Sequence, residues 1–346
     1  MQDIAASTYT PSLHLIDVRA PIEFAQGSIP NAKNLPILND VERSTVGTCY
    51  KQQGPHAAIA LGHELVYGTI KESRIDAWAE FIHAHQHCAV MCARGGLRSQ
   101  TARGWLLDRG IQAPCIIGGY KALRARLTSH FEALCAATTC WVITGKTGSG
   151  KTQLIERFGS CNLEALAAHR GSAFGGVLGT QPAQSTFENQ LSVTLWSHAI
   201  KKPLIVEDES LMIGKIRVPQ ILIKKIQSSA IIIVDEPQEK RAARILHDYV
   251  ESQIQTNLFQ TFKESLSRIR KKLGDERYRE LFADITEAER LWVNTNTLEP
   301  NLVWITKLLQ WYYDPLYDRQ AETRPHLFRG DYEACENWLM QSAARA

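Results

Sequence analysis

The sequence predicts two α/β domains with parallel sheets and a helical C-terminal extension. Short apolar strands alternate with helices over about the first 130 residues, which is typical of a parallel sheet covered by helices. A second series of strands and helices begins at Cys140, where the first strand leads directly into a glycine-rich loop. From about residue 237 onward the hydrophobic pattern is helical. We therefore expect domains over 1–136 and 137–250, and an extension over 251–346 that packs on the second domain.

Length and composition agree with this organisation. The 346 residues suffice for two domains of about 150 residues, each long enough to bury a core. Charged residues make up only 22% of the chain, which excludes intrinsic disorder. No apolar run reaches the roughly 20 residues of a membrane-spanning helix, and the first residues lack a signal-peptide pattern. Eight dispersed cysteines do not suit a disulfide framework, so we expect a cytoplasmic protein with reduced thiols and no membrane association.

In the first domain, residues 13–18 form an apolar run that reads as a buried strand. Pro21 then suits the first turn of a short helix. The further elements expected here are strands over 88–91 and 114–117 and helices over 39–53, 56–66, 71–86, 98–109 and 120–135.

The second domain begins with a strand over 140–144. No flexible linker precedes it, so the boundary near 135–140 is short. The further elements expected here are strands over 203–207 and 230–234 and helices near 186–200, 219–227 and 256–273.

The strongest motif is Gly-x-x-x-x-Gly-Lys-Thr at 145–152, between an apolar strand and a helix. Glycines let backbone N–H groups point into one concavity, which together with the helix N-terminus binds a phosphate. Lys151 would add positive charge at the terminal phosphates, and the Thr152 hydroxyl can ligate Mg²⁺. We expect the whole loop to bind phosphate, namely Gly145, Lys146, Thr147, Gly148, Ser149, Gly150, Lys151 and Thr152.

A phosphate-binding loop of this kind needs an acidic partner at the end of a neighbouring strand. Two apolar runs end in acids: one runs into Glu207 and Asp208, the other into Asp235. The pattern alone slightly favours Asp235. The ordinary alternative for either run is an acid that caps the following helix.

The second strong motif is the segment from Cys92 to Arg98, a cysteine at a strand end followed by Arg94, two glycines and a closing arginine. A loop of this length can wrap its N–H groups around the sulfur, and together with a helix N-terminus and two guanidinium groups it would stabilise a thiolate. The same groups would bind an anion delivered to that sulfur. The other seven cysteines we interpret as small buried residues.

The net charge of +3 conceals two local basic stretches. Between residues 94 and 126, seven Lys and Arg residues face one acid, a local excess of +6 around the Cys92 motif. Between 263 and 279, seven basic residues face three acids. The second stretch, taken alone, is more typical of a solvated helix face.

The first domain resembles a rhodanese domain in Asp17-Val18-Arg19, Glu23-Phe24, the segment 27–32 and the Cys92 loop. Rhodaneses carry sulfur or selenium as a persulfide-type adduct on the loop cysteine. The Cys-x5-Arg spacing is one residue longer than the commonest sulfurtransferase loop and equals that of phosphatases built on the same fold, so loop length leaves phosphatase chemistry open.

The order of the two domains resembles the tRNA 2-selenouridine synthase family. The resemblance covers roughly residues 13–250, and its signatures are the segments 92–99, 118–124, 145–152, 169–175, 187–189 and 206–210 with 213–214. It implies an α/β fold in which a rhodanese-like parallel-sheet domain precedes a P-loop NTPase-like α/β domain with a helical C-terminal extension.

The resemblance implies a transferase that replaces sulfur with selenium in 2-thiouridine at the tRNA wobble position. Selenophosphate is the family's selenium donor, and geranyl diphosphate supplies an S-geranyl intermediate. Carried onto this sequence, Cys92 is the essential cysteine, Arg94 and Arg98 hold selenophosphate, and the P-loop holds the diphosphate. The family shifts the preferred acidic partners to Glu207 and Asp208, which could hold Mg²⁺ with Thr152.

An apolar slot for the geranyl chain could be lined by residues 173–178, although ordinary loop packing explains that segment equally well. The tRNA anticodon stem-loop would explain the basic stretches. The candidate tRNA contacts are Arg103, Lys121, Arg124, Arg126, Arg268, Arg270, Lys271 and Lys272. No resident metal is predicted, because His83, His85 and His87 do not converge on one ion. The sequence also predicts no protein partner.

Two alternatives remain open at this point. One is a rhodanese-fold phosphatase or sulfurtransferase fused to an ATP-dependent kinase, which would turn over a phosphoester and hydrolyse ATP without RNA. The other is a non-enzymatic, phosphate-gated RNA-binding module in which Cys92 is a passive core residue.

Overall fold

A computed structural model describes residues 2–170, 180–251, 257–317 and 324–343. The chain divides into two compact units. Unit 1 comprises Met1–Ala133 and Ala183–Trp196, and unit 2 comprises Leu134–Pro182 and Ser197–Ala346. The division therefore differs from the expected boundary at 136, since a segment from the middle of the chain belongs to unit 1.

The strands and helices follow the alternation that the sequence predicts. The strands are β1 Ile4–Ala5, β2 His14–Asp17, β3 Ala32–Asn34, β4 Cys88–Met91, β5 Ile116–Ile117, β6 Cys140–Thr144, β7 Leu204–Glu207, β8 Met212–Ile213, β9 Ile216–Arg217, β10 Ala230–Val234 and β11 His326–Gly330. The helices are α1 Pro21–Ala25, α2 Asp40–Leu65, α3 Gly68–Ala84, α4 Leu97–Asp108, α5 Gly119–Ala137, α6 Lys151–Phe158, α7 Leu163–Leu166, α8 Gln184–Thr194, α9 Gln220–Ser228, α10 Gln238–Ile245, α11 Leu258–Leu273, α12 Asp275–Thr295, α13 Asn301–Leu308, α14 Asp314–Tyr317 and α15 Tyr332–Ala343.

Unit 1 is built on short parallel strands. β3, β2 and β4 form one sheet in that order, and β5 pairs with β1. A parallel bridge between Val90 and Cys115 connects the two groups. Leu15, Ile16 and Val90 are fully buried, as expected for strands covered on both faces. The carboxyl ends of β2 and β4 therefore lie side by side, which brings Asp17 near the Cys92 loop.

Unit 2 contains a four-stranded parallel sheet in the order β11–β10–β6–β7. β6 is central and carries the glycine-rich loop at its carboxyl end, so the ends of β7 and β10 flank that loop on both sides. β11 corrects the expectation that only helices follow residue 237. Its five residues, His326 to Gly330, mix polar and apolar side chains and are exposed or half-buried, as suits an edge strand, so the segment lacks the continuous apolar run of a buried strand.

The last helix, α15, packs on the sheet of unit 2, whereas the helices from α10 to α13 pack around an apolar core of their own. Phe262, Leu266, Leu281, Ile285 and Trp304 are almost fully buried there. The aromatic residues from Trp304 to Tyr313 thus belong to this core or pack against it. No described helix combines the length and the apolar character that crossing a membrane requires.

Candidate active sites in the two units

The Cys92 loop connects the end of β4 to the start of α4. A second segment clamps it, because the backbone N–H groups of Tyr120 and Lys121 donate to the carbonyls of Cys92 and Ala93 at 2.9 and 3.1 Å. Gly119 is required here, since a Cβ at this position would collide with the Cys92 carbonyl oxygen. The glycine pair at 118–119 therefore allows the close approach that holds the loop in shape.

The Cys92 sulfur is buried, with 3% of the residue exposed, yet the surroundings favour its thiolate. Burial opposes ionisation, but the Ser99 hydroxyl, 3.3 Å from Sγ, and backbone N–H groups of Arg94, Ser99 and Gly96 lower the pKa of Cys92. By contrast, burial raises the pKa of Cys115 and of Cys335 to about 11. The structure thus distinguishes Cys92 from these two buried cysteines by the direction of its pKa shift.

Arg98 and Arg94 occupy different environments. Arg98 donates to both carboxylate oxygens of Glu23, at 2.5 and 3.0 Å. The positive charge of Arg98 faces Cys92 as well, since the two groups interact electrostatically. Arg94 is exposed, and its backbone N–H is the group that faces the sulfur. The loop therefore holds one guanidinium fixed by a carboxylate and leaves the other exposed.

Asp17 and Arg19 tie the end of β2 to the neighbouring loops. Arg19 donates to both oxygens of Asp17, and its Nη2 also donates to the Gly27 carbonyl at 2.8 Å. Its guanidinium lies 3.9 Å from the centre of the ring of Tyr120, the residue whose N–H donates to the Cys92 carbonyl. Both charged groups are almost completely buried, so the pair connects these segments in the interior of unit 1.

The glycine-rich loop in unit 2 has the geometry of a phosphate-binding loop. Gly150, at the N-terminus of α6, has a φ of 92°, which other residues rarely adopt. The Lys151 ammonium donates to the Gly145 carbonyl at 2.7 Å, and it lies 5.6 Å from the centre of the Tyr317 ring. The Tyr317 hydroxyl lies 3.3 Å from Thr147 Oγ1. An anion bound in this loop could replace the Gly145 carbonyl as the hydrogen-bond acceptor of Lys151 Nζ.

Two arginines on α10 support the loop from behind. Arg241 donates to the Thr147 carbonyl at 3.1 Å and forms a two-point ion pair with Asp314 at 2.8 Å. Arg244 donates to the Gly148 carbonyl at 2.7 Å. These hydrogen bonds fix two carbonyls of the loop in place. Neither was identified from the sequence, because α10 reads simply as a polar helix.

The structure separates the acidic candidates. Glu207 is 2% exposed and interacts electrostatically with Lys151. Asp208 instead pairs with Arg324 at 2.9 Å, and Asp235 pairs with Arg329 at 2.6 Å. Arg329 belongs to β11, a strand that the sequence did not predict, and Arg324 precedes it, so both aspartates are neutralised from this part of the chain.

Glu207 belongs to a cluster with Glu164 and Glu209, whose carboxylate oxygens lie within 4.8 Å of one another. Burial and the negative charges of the other two raise the pKa of Glu207 well above its usual range. Burial and the Glu164 charge raise the pKa of Glu209 to about 8. An all-oxygen set suits a hard cation such as Mg²⁺. The sequence could have indicated Glu209 from its spacing, but Glu164 is brought in by a distant helix.

Beside the loop, Thr147 lines a small apolar cavity of about 30 Å³ with Phe262, Trp304 and Leu308. The expected apolar slot over 173–178 lies outside the described residues. The same holds for most of the predicted signature over 169–175.

The predicted basic patch around Cys92 is largely neutralised in space. Four of its seven basic residues pair with acids from elsewhere in unit 1: Arg98 with Glu23, Arg103 with Asp3, Arg109 with Glu72 and Asp76, and Arg124 with Glu188. The expectation of a +6 patch is therefore corrected, because the acids come from distant sequence positions. Among the described residues, Arg94, Lys121 and Arg126 form no ion pair with an acid.

The remaining predicted tRNA contacts lie on α11. Arg268, Arg270, Lys271 and Lys272 are all exposed, whereas the opposite face of the helix is buried in the apolar core. Arg270 pairs with Asp275 at 2.7 Å. On this face of α11, Lys271 and Lys272 are therefore the main candidates for contacts with a phosphate backbone.

The fold and the two loops define a rhodanese-like domain joined to a P-loop domain. Residues 2–126 match the family model of the rhodanese-like domain, and residues 138–346 match that of the tRNA 2-selenouridine synthase AAA domain. The chain belongs to the tRNA 2-selenouridine synthase family. This confirms the resemblance found in the sequence.

Curated relatives match almost the whole chain, and each is named tRNA 2-selenouridine synthase. The protein of Nitrosomonas europaea is 42% identical, and the match covers 94% of both chains. That of Shewanella denitrificans is 41% identical over 96% of both chains. That of Shewanella oneidensis is 43% identical over 94% of this chain and 91% of its own. The shared name is that of a tRNA-modifying enzyme.

Proposed function

We propose that this protein is a tRNA 2-selenouridine synthase, a transferase that replaces the sulfur of 2-thiouridine at the tRNA wobble position with selenium. The observation that carries the proposal is the Cys92 sulfur at the N-terminus of α4, where the Ser99 hydroxyl and the backbone N–H groups of the loop lower its pKa. The family assignment and the names of the relatives support it.

In the first step, the P-loop holds the diphosphate of geranyl diphosphate. The thiocarbonyl sulfur attacks C1 of the geranyl chain, the C1–O bond breaks, diphosphate leaves with the electron pair, and ring N3 releases a proton. Lys151 and the N–H groups at the start of α6 stabilise the leaving diphosphate. Glu207 and its neighbouring glutamates, with Thr152, would hold a Mg²⁺ ion, which supplies further charge neutralisation when it is bound.

In the second step, selenophosphate is held at the Cys92 loop by Arg94 and Arg98. Selenium forms a bond to C2 of the ring, the C2–S bond breaks, and geranyl thiol leaves. Water finally takes the phosphoryl group, and its two protons end on the thiol and on ring N3. The products are 2-selenouridine, geranyl thiol and phosphate, so the exchange needs neither an oxidant nor a reductant.

Cys92 accepts the phosphoryl group in this scheme. Its thiolate attacks phosphorus, an S–P bond forms, and the electron pair of the P–Se bond stays on selenium; water then hydrolyses the phosphocysteine. The Cys-x5-Arg spacing, which equals that of phosphatases on this fold, supports this role. Attack on selenium with formation of an S–Se bond would instead reduce phosphorus, which does not lead to phosphate.

The anticodon stem-loop of tRNA is the macromolecular substrate in this proposal. Lys271 and Lys272 on α11, and Lys121 in unit 1, are exposed cations suited to its phosphates. Arg103 and Arg124, which pair with acids, are dropped from this set.

The experiment combines the purified protein with a 2-thiouridine-containing tRNA, geranyl diphosphate and selenophosphate, and follows the wobble nucleoside by mass spectrometry. We expect S-geranyl-2-thiouridine first and 2-selenouridine second. Calorimetry should show geranyl diphosphate binding. Binding of ATP without geranyl diphosphate, or turnover of a phosphoester with ATP hydrolysis and no change in the tRNA, would favour the fused phosphatase and kinase instead.

A further inference from the structure

Unit 1 contains an apolar cavity of about 200 Å³ between α2 and α4. It is lined by side chains such as Leu38, Tyr50, Ala58, Leu97 and Trp105. The break in α2 shapes it: the backbone leaves the helical conformation with a φ of 83° at Gly54, and the following proline lines the cavity wall.

The cavity is open, and its mouth exposes large apolar side chains. Tyr50 and Leu97 are 59% and 57% exposed, and Ile59 is 37% exposed. An exposed apolar surface around a concave site is typical of a binding site for an apolar group. Selenophosphate and 2-thiouridine are both polar, so neither of them explains it.

The cavity adjoins the reactive loop. Leu97, Arg98 and Thr101 of α4 line it, and α4 is the helix whose N-terminus faces the Cys92 sulfur. An open groove of about 590 Å³ shares Arg98 and Tyr50 with the cavity and adds Arg43 and Lys51. A ligand that fills both must therefore carry an apolar chain and an anionic part.

We propose that this cavity binds the geranyl chain of the S-geranyl-2-thiouridine intermediate during the selenation step. The inference rests on the proposed function and adds a second, separate site for the chain. A cavity of about 150 Å³ can hold a benzene-sized group. One of about 200 Å³ accommodates part of a ten-carbon chain, and the rest lies along Tyr50 and Leu97 at the mouth.

The site has a consequence for specificity. The chain is attached to the sulfur that leaves, so the cavity recognises the leaving group and not the base. A tRNA whose sulfur is not alkylated, or carries only a methyl group, cannot use this apolar contact. Selenation would thus be directed to uridines that have completed the first step.

The test compares Leu97→Ser with Leu107→Ser. Both leucines are exposed on α4, at 57% and 59%, but only Leu97 lines the cavity. Each variant is given selenophosphate and an anticodon stem-loop that carries either S-geranyl- or S-methyl-2-thiouridine. We expect Leu97→Ser to lower kcat/KM for the geranyl substrate about tenfold, with little change for the methyl one, because several buried methylene contacts are lost. Leu107→Ser should resemble the wild type.

A second pair of variants tests the effect of filling the cavity with a larger side chain. Ala58→Phe should lower geranyl selenation more than methyl selenation, whereas Ala60→Phe, on the exposed side of the same helix, should not. Equal use of both substrates by the wild type, or equal effects of the matched variants, would overturn the cavity assignment. Failure of the wild type to selenate either substrate would instead contradict the proposed function.

Discussion

The guanidinium of Arg98 is held by the carboxylate of Glu23 through two bonds, Nη1–Oε2 at 2.5 Å and Nη2–Oε1 at 3.0 Å. Glu23 lies on α1 and Arg98 on α4, so this pair joins the helices that follow β2 and β4. Burial opposes ionisation of Glu23, but the hydrogen bond and charge of Arg98 lower its pKa. The pair thus fixes a cation beside the Cys92 thiolate.

Replacing Arg98 by lysine should impair selenation. A lysine keeps the charge but cannot form the two-point contact, so the cation is no longer fixed at the loop. We expect kcat/KM for selenophosphate to fall at least about tenfold, while geranylation stays unchanged. Arg109→Lys, in an exposed ion pair with Glu72, is the matched control. Equal activity of the two variants would show that the Arg98 geometry is not used.

Ser99→Ala should raise the pKa of Cys92, because the hydroxyl at 3.3 Å no longer stabilises the thiolate. The thiolate fraction, and with it the acidic limb of the selenation profile, should move to higher pH by about one pH unit. The measurement is the ultraviolet absorbance of the thiolate against pH, with Cys92→Ala as the blank. Ser73→Ala, at an exposed helix position, should leave the titration unchanged. An unchanged titration in Ser99→Ala would refute this role.

The glutamate cluster predicts a pH-dependent stability. Because burial and the Glu164 charge raise the pKa of Glu209 to about 8, the folded protein retains a proton that the unfolded chain releases near its ordinary carboxyl pKa. Stability should therefore be full below that ordinary pKa and fall as the pH rises toward about 8. Glu209→Gln should flatten the melting temperature between about pH 5 and pH 9, whereas the exposed Glu239→Gln should not.

Mg²⁺ should oppose the loss of stability that the glutamate cluster causes as the pH rises. If it binds the glutamates, its stabilising effect must increase with pH, because protons and the cation compete for the same oxygens. The measurement is the gain in melting temperature on adding Mg²⁺, compared between about pH 5 and about pH 9. A gain in melting temperature that is equal at both values, or that persists in Glu209→Gln, would contradict a metal site here.

Lys271→Ala combined with Lys272→Ala should weaken tRNA binding. Each phosphate contact that is lost reduces the slope of log K against log salt by about 0.7 to 0.9, so the double variant should lose about 1.5. Lys201→Ala with Lys202→Ala removes the same charge from exposed positions elsewhere in unit 2. Equal salt slopes for the two double variants would show that the basic face of α11 is not the tRNA surface.

Local sequence patterns predicted most of the fold. The strand over 140–144 is β6 with the same bounds, and the break between the helices predicted over 39–53 and 56–66 falls at Gly54. β11 escaped prediction because an exposed edge strand does not need a continuous apolar run. A helix near 186–200 was expected, and α8 spans Gln184–Thr194. Its membership of unit 1 depends on contacts such as that of Asn189 with Ser28, which no local pattern encodes.

The candidate sites were predicted to a similar extent. The reactive cysteine and the P-loop could be found because each motif is contiguous in the sequence. The ion pairs that neutralise Arg103 and Arg124, and the glutamate that joins Glu207 from α7, link distant positions and emerge only from the fold. Charge counted along the chain therefore overestimated the positive potential around Cys92.

The central claim is that Cys92 serves selenation and Lys151 serves geranylation. The direct measurement is a crossed assay with Cys92→Ala and Lys151→Ala, in which the wobble nucleosides are identified by mass spectrometry. Cys92→Ala should bind tRNA and accumulate S-geranyl-2-thiouridine without forming 2-selenouridine. Lys151→Ala should leave 2-thiouridine unchanged but selenate a stem-loop that already carries the geranyl group. Loss of both reactions in Cys92→Ala, or of selenation of the geranylated stem-loop in Lys151→Ala, would contradict this division.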